Sequence, residues 1–237
     1  MKLAFTSALA ISVLALSACS VPTAPQAVSS LDTLLPHPTG RSSATQVKSG
    51  PGVSLGVIYS PSTQTNREYL RDYQANAGTG FGQSLLVQPI HDAYVASSKP
   101  DMAVEWVNAS LQRQFGSVTV YPDMQSLRAA KPDVVAIVDT HSQLITSRSS
   151  DIKADVSADF YDARLNYIGT AKGSDARELT PVWADFKRSE EIVADINQQQ
   201  DVQVRALQKF DQSLNNLVAR PADKVSMLDS KQGQKLY

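Results

Sequence analysis

DIKADVSADF, residues Asp151–Phe160, alternates polar and apolar side chains without a break: Asp151, Lys153, Asp155, Ser157 and Asp159 against Ile152, Ala154, Val156, Ala158 and Phe160. A period of two sends successive side chains to opposite faces of a strand. One face is therefore core and the other meets water, the pattern of a sheet covered on one side. Beyond it, YDARLNYIGTA carries turn residues over Asp162–Asn166 and a second strand-like run from Tyr167 to Ala171. So short a connection predicts an antiparallel hairpin.

Upstream, VVAIVD (Val134–Asp139), introduced by Pro132 and Asp133, is apolar at both parities and predicts a central strand. VSLGVIYS, starting at Val53, predicts another buried strand that Pro61 stops, and SVTVY (Ser117–Tyr121) a short one. Between these strands the period changes. Leu85, Leu86, Ile90, Ala93 and Tyr94 fit a helix over Gln83–Ser98, with Pro89 as a kink or first-turn residue. Asp101 is placed to cap a second helix whose stripe is Val104, Val107, Leu111 and Phe115, ended by Gly116. Ser126–Lys131 reads as a helical turn, and Ser60–Gly82 as an ordered loop with one helical turn. A long closing helix is predicted from Val193, Ile196, Val204, Leu207, Phe210, Leu214 and Leu217, around the glutamine-rich QQQD at 198–201, with Arg220 and Pro221 as its stop. The fold class is therefore α+β: a mixed, partly antiparallel sheet with helices on one side and a long C-terminal helix.

The start of the chain is of another kind. MKLAFTSALAISVLALSAC has a basic start at Lys2, an apolar run to Leu16 and small residues at Ser17 and Ala18, the layout of an export signal. Leu16, Ser17, Ala18 and Cys19 resemble the bacterial lipobox. That resemblance implies a diacylglycerol thioether on Cys19, cleavage before it, and acylation, palmitate-like, of the new amino terminus. Cys19 is the one cysteine in the chain, so no intrachain disulfide is available and stability rests on packing. Ser20 stands where an aspartate would retain related lipoproteins in the inner membrane, which implies the outer membrane and a periplasmic domain. Ser20–Gly52 is rich in Ser, Thr, Pro and Gly and poor in large apolar residues, so it reads as a tether with a root-mean-square span of roughly 30 Å. The expected organisation is a signal peptide over 1–18, anchor and tether over 19–52, one domain over 53–220 and a flexible tail over 221–237.

With 22 basic and 23 acidic residues the net charge is −1, which excludes a long-range field for nucleic acid or anionic lipid. GTGFG (Gly78–Gly82) lacks the Lys-Ser/Thr of a phosphate loop and the spacing of a dinucleotide fingerprint, so it reads as a turn. Asp139 and His141, in DTHS, share a parity at the end of the central strand, an arrangement that can orient an imidazole for base chemistry, but no G-x-S-x-G elbow accompanies them. The residues Asp151, Asp155 and Asp159 share a face, yet an extended strand sets every fourth residue roughly 13 Å apart and Lys153 interrupts the row, so a solvated face is expected. His37, His91 and His141 have no metal-ligand spacing. Trp183 and Phe186 read as core or a helix staple. No catalytic, cofactor or metal residues are assigned, and Cys19 stands as the site of lipidation.

LGVIYS, KPDVVAIVD and the strand-turn-strand FYDARLNYIG together resemble the periplasmic lipoprotein domains of the CsgG, LpoB and amino-terminal TolB type over roughly Val53–Val218. The resemblance implies an α/β lipoprotein domain and transfers no binding residue. The expected function is a lipoprotein, not an enzyme, that binds an envelope protein as an assembly, activator or secretion-machine component. A carrier or enzyme for a periplasmic small molecule or glycan is the alternative.

Overall fold

The computed structural model describes residues 24–25, 46–76, 88–145, 151–179 and 188–219. Its main sheet holds β2 (Gly50–Tyr59), β3 (Phe115–Val120), β4 (Val134–Gln143), β5 (Asp151–Asp162) and β6 (Tyr167–Glu178) in the order β3-β2-β4-β5-β6. β2 runs parallel to β3 and β4, and β4-β5-β6 is an antiparallel meander. A two-stranded parallel ladder joins β1 (Val47–Lys48) to β7 (Val218–Ala219).

The alternation in β5 does what its period requires. Ile152, Ala154, Val156, Ala158 and Phe160 are all buried. Val156, Ala158 and Phe160 share a core with Leu55, Val57, Val134, Ala136 and Val138 of the neighbouring strands. That core is closed by Val107 and Leu111 of α3 (Met102–Gln112) and by Leu207, Phe210 and Leu214 of α5 (Ser189–Leu217). α5 lies so close to β6 that a Cβ built at Gly173 would stand 2.0 Å from the Ala206 carbonyl oxygen and 2.4 Å from the Phe210 nitrogen. α2 (Gln88–Ser97) packs on α5 through Ile90, Ala93 and Ile196. The opposite face has its own cover: Leu127 of the short α4 (Met124–Ala130) packs with Ile58, Val135, Ile137 and Tyr161. β4 is buried on both faces for that reason.

Several boundaries differ from the sequence reading. Pro61–Ala75 is not a loop but a helix of 15 residues, α1, with Pro61 in its first turn and the Ser60 hydroxyl accepting from the Thr63 amide at 3.0 Å. Its buried residues are Thr63, Asn66, Tyr69, Leu70 and Tyr73, so a helical face exists but is half polar, and apolar periodicity misses it. Asp101 makes no side-chain cap; its carboxylate is taken by the Arg67 guanidinium of α1 instead. Phe115 leaves the helical stripe and opens β3, because α3 ends at Gln112. β6 runs on to Glu178, past the predicted end at Ala171. Val47, assigned to the tether, is 0% exposed and paired with Val218, so ordered structure begins before Val53. The segments 77–87 and 220–237, including GTGFG, Pro221 and the predicted tail, lie outside the described residues.

The contact between α5 and β6 generates a direct test. Gly173→Ala must push helix from sheet and should cost about 1–3 kcal/mol or more in urea unfolding, whereas Gly52→Ala, with nothing within 4 Å of its Cβ, should stay within about 0.5 kcal/mol.

Candidate functional site

β2 ends at Tyr59 while β4 continues to Gln143, so the second half of β4 has lost its strand neighbour on that side. Its backbone groups still need partners, because a buried unpaired amide costs about 1–3 kcal/mol. α1 supplies them with side chains. Thr63 Oγ1 accepts from the Thr140 amide at 2.9 Å, Asn66 Oδ1 from the Ser142 amide at 2.9 Å, and the Tyr69 hydroxyl from the Leu144 amide at 3.2 Å. The side chains lengthen from Thr to Asn to Tyr, as needed when a helix at about 1.5 Å per residue leaves a strand at about 3.3 Å. Burial pushes the Tyr69 phenol up to about 12, which keeps it neutral.

One residue further, the Ile145 amide donates to Gln199 Oε1 of α5 at 2.7 Å and the Ile145 carbonyl accepts from the Tyr73 hydroxyl at 2.8 Å. Gln199 Nε2 donates to Ser97 Oγ at 2.9 Å, and Gln203 Nε2 to the Ser97 carbonyl at 2.8 Å. The glutamine-rich run thus contributes a buried amide that ties α1, α2, β4 and α5 together. Sequence reasoning missed these residues because polar side chains break the apolar stripe they belong to.

Asp139 and His141 lie on the face of β4 away from α5, with Val135 and Ile137. They share that face as the sequence requires, yet the pair does not form a base dyad in the described residues. The Ser60 hydroxyl donates to Asp139 Oδ1, and a second bond comes from Ser62, so the carboxylate is held at the start of α1. His141 is 6% exposed, and its Nδ1 is buried with no hydrogen-bond partner among the described residues. Asp155 stands directly across from it in register, paired to Lys153 Nζ at 2.8 Å and accepting from Ser174 Oγ at 2.6 Å.

The acidic row is only partly wet. Asp151 is exposed, but Asp159 is 1% exposed and accepts from the Thr170 hydroxyl, which corrects the solvated reading at that position. The cause is the cover that this face also carries around Tyr161 and Tyr167. Among the described residues no group of three or more His, Cys, Asp and Glu is placed to hold a metal ion. His91 is exposed on α2 beside Asp92. Cys19, His37, Phe81, Trp183 and Phe186 lie outside the described residues.

The two edges of the sheet are unlike. On β6, Ser213 of α5 accepts from the Lys172 amide at 3.1 Å, Lys209 Nζ donates to the Ser174 carbonyl at 2.9 Å, and Arg205 and Lys209 pair with Asp175 at 2.7 and 2.6 Å. That edge is covered and charged, the usual protection against strand addition. β3, FGSVTV, has no charge and no proline, and among the described strands it pairs only with β2. The Tyr121 amide donates to the Val57 carbonyl at 2.8 Å. By alternation the backbone groups of Val118 and Val120 point away from the sheet. Val120 is 49% exposed, the one large hydrophobic residue so exposed among those described.

The imidazole of His141 gives the site a pH signature. Burial lowers its proton affinity below the ordinary histidine value, opposed first by Asp155, reinforced by Lys153 and opposed again by Asp139. The unfolded chain takes up this proton near pH 6.5 and the fold only at lower pH, so stability falls as pH drops below about 6.5. Asp139 has the opposite sign: burial raises its carboxyl, against hydrogen bonds from Ser60 and Ser62, so its contribution grows as pH falls toward the raised value. Comparing wild type with His141→Gln isolates the histidine. Urea midpoints from pH 7.5 to 5 should fall more steeply in the wild type; parallel curves would mean that the fold does not hold the imidazole neutral.

No family model matches the chain, and no curated protein matches it. Among solved structures the chain is similar to the PelC dodecamer from Paraburkholderia phytofirmans, at 13% identity over 67% of this chain and 95% of that one, with a TM-score of 0.29. It is also similar to a minor lipoprotein from Acinetobacter baumannii, at 15% identity over 71% and 96% of the two chains and a TM-score of 0.29. A lipoprotein from Neisseria meningitidis is similar at 10% identity over 63% and 99%, with a TM-score of 0.24.

Proposed function

We propose that this chain is a lipid-anchored envelope protein that holds a protein partner by accepting an extended segment of it along the free edge of β3. The observation that carries this reading is the contrast between edges. One is covered by α5 and charged, while FGSVTV is uncharged, rich in β-forming residues and, among the described residues, paired on one side only. A strand added there gains main-chain hydrogen bonds from Val118 and Val120, and the exposed Val120 side chain adds an apolar contact. An unprotected edge of this kind is a liability unless something covers it.

The anchor belongs to the same reading. The apolar leader and Leu16-Ser17-Ala18-Cys19 support lipid on Cys19, and Ser20 supports the outer membrane over the inner. Among the described residues no helix is long and apolar enough to cross a membrane. A tethered domain meets its partner at raised effective concentration, which suits an assembly factor, an activator or a secretion-machine accessory. A catalytic alternative would need Asp139 and His141 to act together, and Asp139 is engaged by Ser60 instead.

Two measurements test the reading. Cys19→Ser should release the protein from outer-membrane fractions, and unchanged fractionation would remove the anchor from the account. A photo-crosslinking side chain at Val120 should give a discrete protein adduct in intact envelopes, absent when placed at Arg128. Thr119→Lys should abolish that adduct while leaving the unfolding midpoint in place, because Thr119 is exposed. An adduct unaffected by Thr119→Lys would contradict docking along this edge.

A further inference from the structure

Ala24 is partly buried against the cluster formed by Tyr69, Leu70 and Tyr73 of α1 and Leu144 after β4, which Tyr94 of α2 also packs against. The Tyr73 and Tyr94 rings meet edge-on, with centroids 6.0 Å apart. Ala24 follows Cys19 by five residues, and five residues of extended chain reach at most about 17 Å. Whatever is bonded to Cys19 is therefore held close to this cluster. Val47 in β1 lies 28 residues after Cys19 (47 − 19), a contour more than about five times longer, so it sets no comparable limit. The segment that composition reads as a tether is thus short at its anchored end.

We infer that the domain sits on its membrane in a fixed orientation, with the end formed by α1, α2 and the close of β4 toward the bilayer and the β5-β6 turn away from it. This rests on the reading that Cys19 carries lipid. The occupant of that end is the surface of the bilayer holding the Cys19 acyl chains. Polar residues line the outer side of α1 there, among them Glu68, Arg71 and Asp72, so the surface approached is the headgroup layer and not the hydrocarbon. β4 is 10 residues long, which places the two ends of the domain about 30 Å apart.

The test uses the full-length lipidated protein, whose Cys19 thiol is blocked by its lipid. Ala75→Cys, at the end of α1, and Ala163→Cys, in the β5-β6 turn, are both exposed and accept a donor fluorophore. The proteins are reconstituted into phosphatidylethanolamine and phosphatidylglycerol vesicles carrying an acceptor on the headgroups. Energy transfer should be about twofold or more stronger from position 75 than from 163, given about 30 Å of strand between them. Ala24→Lys, which removes the docked side chain at the surface of the cluster, should bring the two values together. Equal transfer from both positions in vesicle-bound wild type would overturn the orientation and leave the anchor standing. Protein that does not join vesicles at all would overturn the lipid on Cys19, and the orientation with it.

Discussion

Past Val138, β4 continues without β2 beside it, and a buried strand edge with unpaired amides is not a stable arrangement. The chain meets this constraint with side chains: Thr63, Asn66 and Tyr69 from α1, then Gln199 from α5. Each of these residues has to be polar, buried and at one position on its helix. That requirement fixes where α1 lies, joins it to α5 through the hydrogen bonds around Ile145 and Tyr73, and draws the end of α2 in through Ser97. A network of this kind stabilises only when it is fully satisfied. The substitution of any member by an apolar residue leaves a backbone amide in the interior without a partner, at a cost of about 1–3 kcal/mol.

The same principle distinguishes the edges of the sheet. Where β4 would expose an edge, α1 closes it; where β6 would, α5 and its cations do. Among the described residues β3 receives neither treatment. On the proposed reading, this difference between edges is what would let an extended segment of a partner add along β3. Ala24 packs beside the capped end of β4, so if Cys19 carries lipid as proposed, that closed end of the sheet is the one nearest the anchor.

Much of this architecture can be read from the residues. The ten alternating positions of Asp151–Phe160 specify a strand with one buried face, and the two-sided apolar run of Val134–Asp139 specifies the strand at the centre of the sheet. α3 and α5 follow from apolar spacing, since Val107, Leu111, Leu207, Phe210 and Leu214 supply the contacts. α1 is illegible by that signal because two of its five buried residues, Thr63 and Asn66, are there to accept hydrogen bonds, and only the sheet they serve explains them. Asp101 stands where a cap would, but the Arg67 charge competes for its carboxylate and wins. Asp159 has the same parity as Asp151 and differs only in what lies over it, which strand period cannot report. Of the candidate site, the shared face of Asp139 and His141 is visible in their spacing. The engagement of Asp139 is not, because Ser60 is distant in sequence and reaches it only through the β2-α1 corner.

Amide hydrogen exchange followed residue by residue in the native protein measures the central claim directly. If α1 replaces a strand along β4, the Thr140, Ser142 and Leu144 amides should exchange as slowly as those of Val135–Val138 and open only with global unfolding, while the outward amides of Val118 and Val120 exchange quickly. Fast exchange at Thr140, Ser142 and Leu144, with the rest of β4 still protected, would show that the helix does not close the edge and would contradict the account.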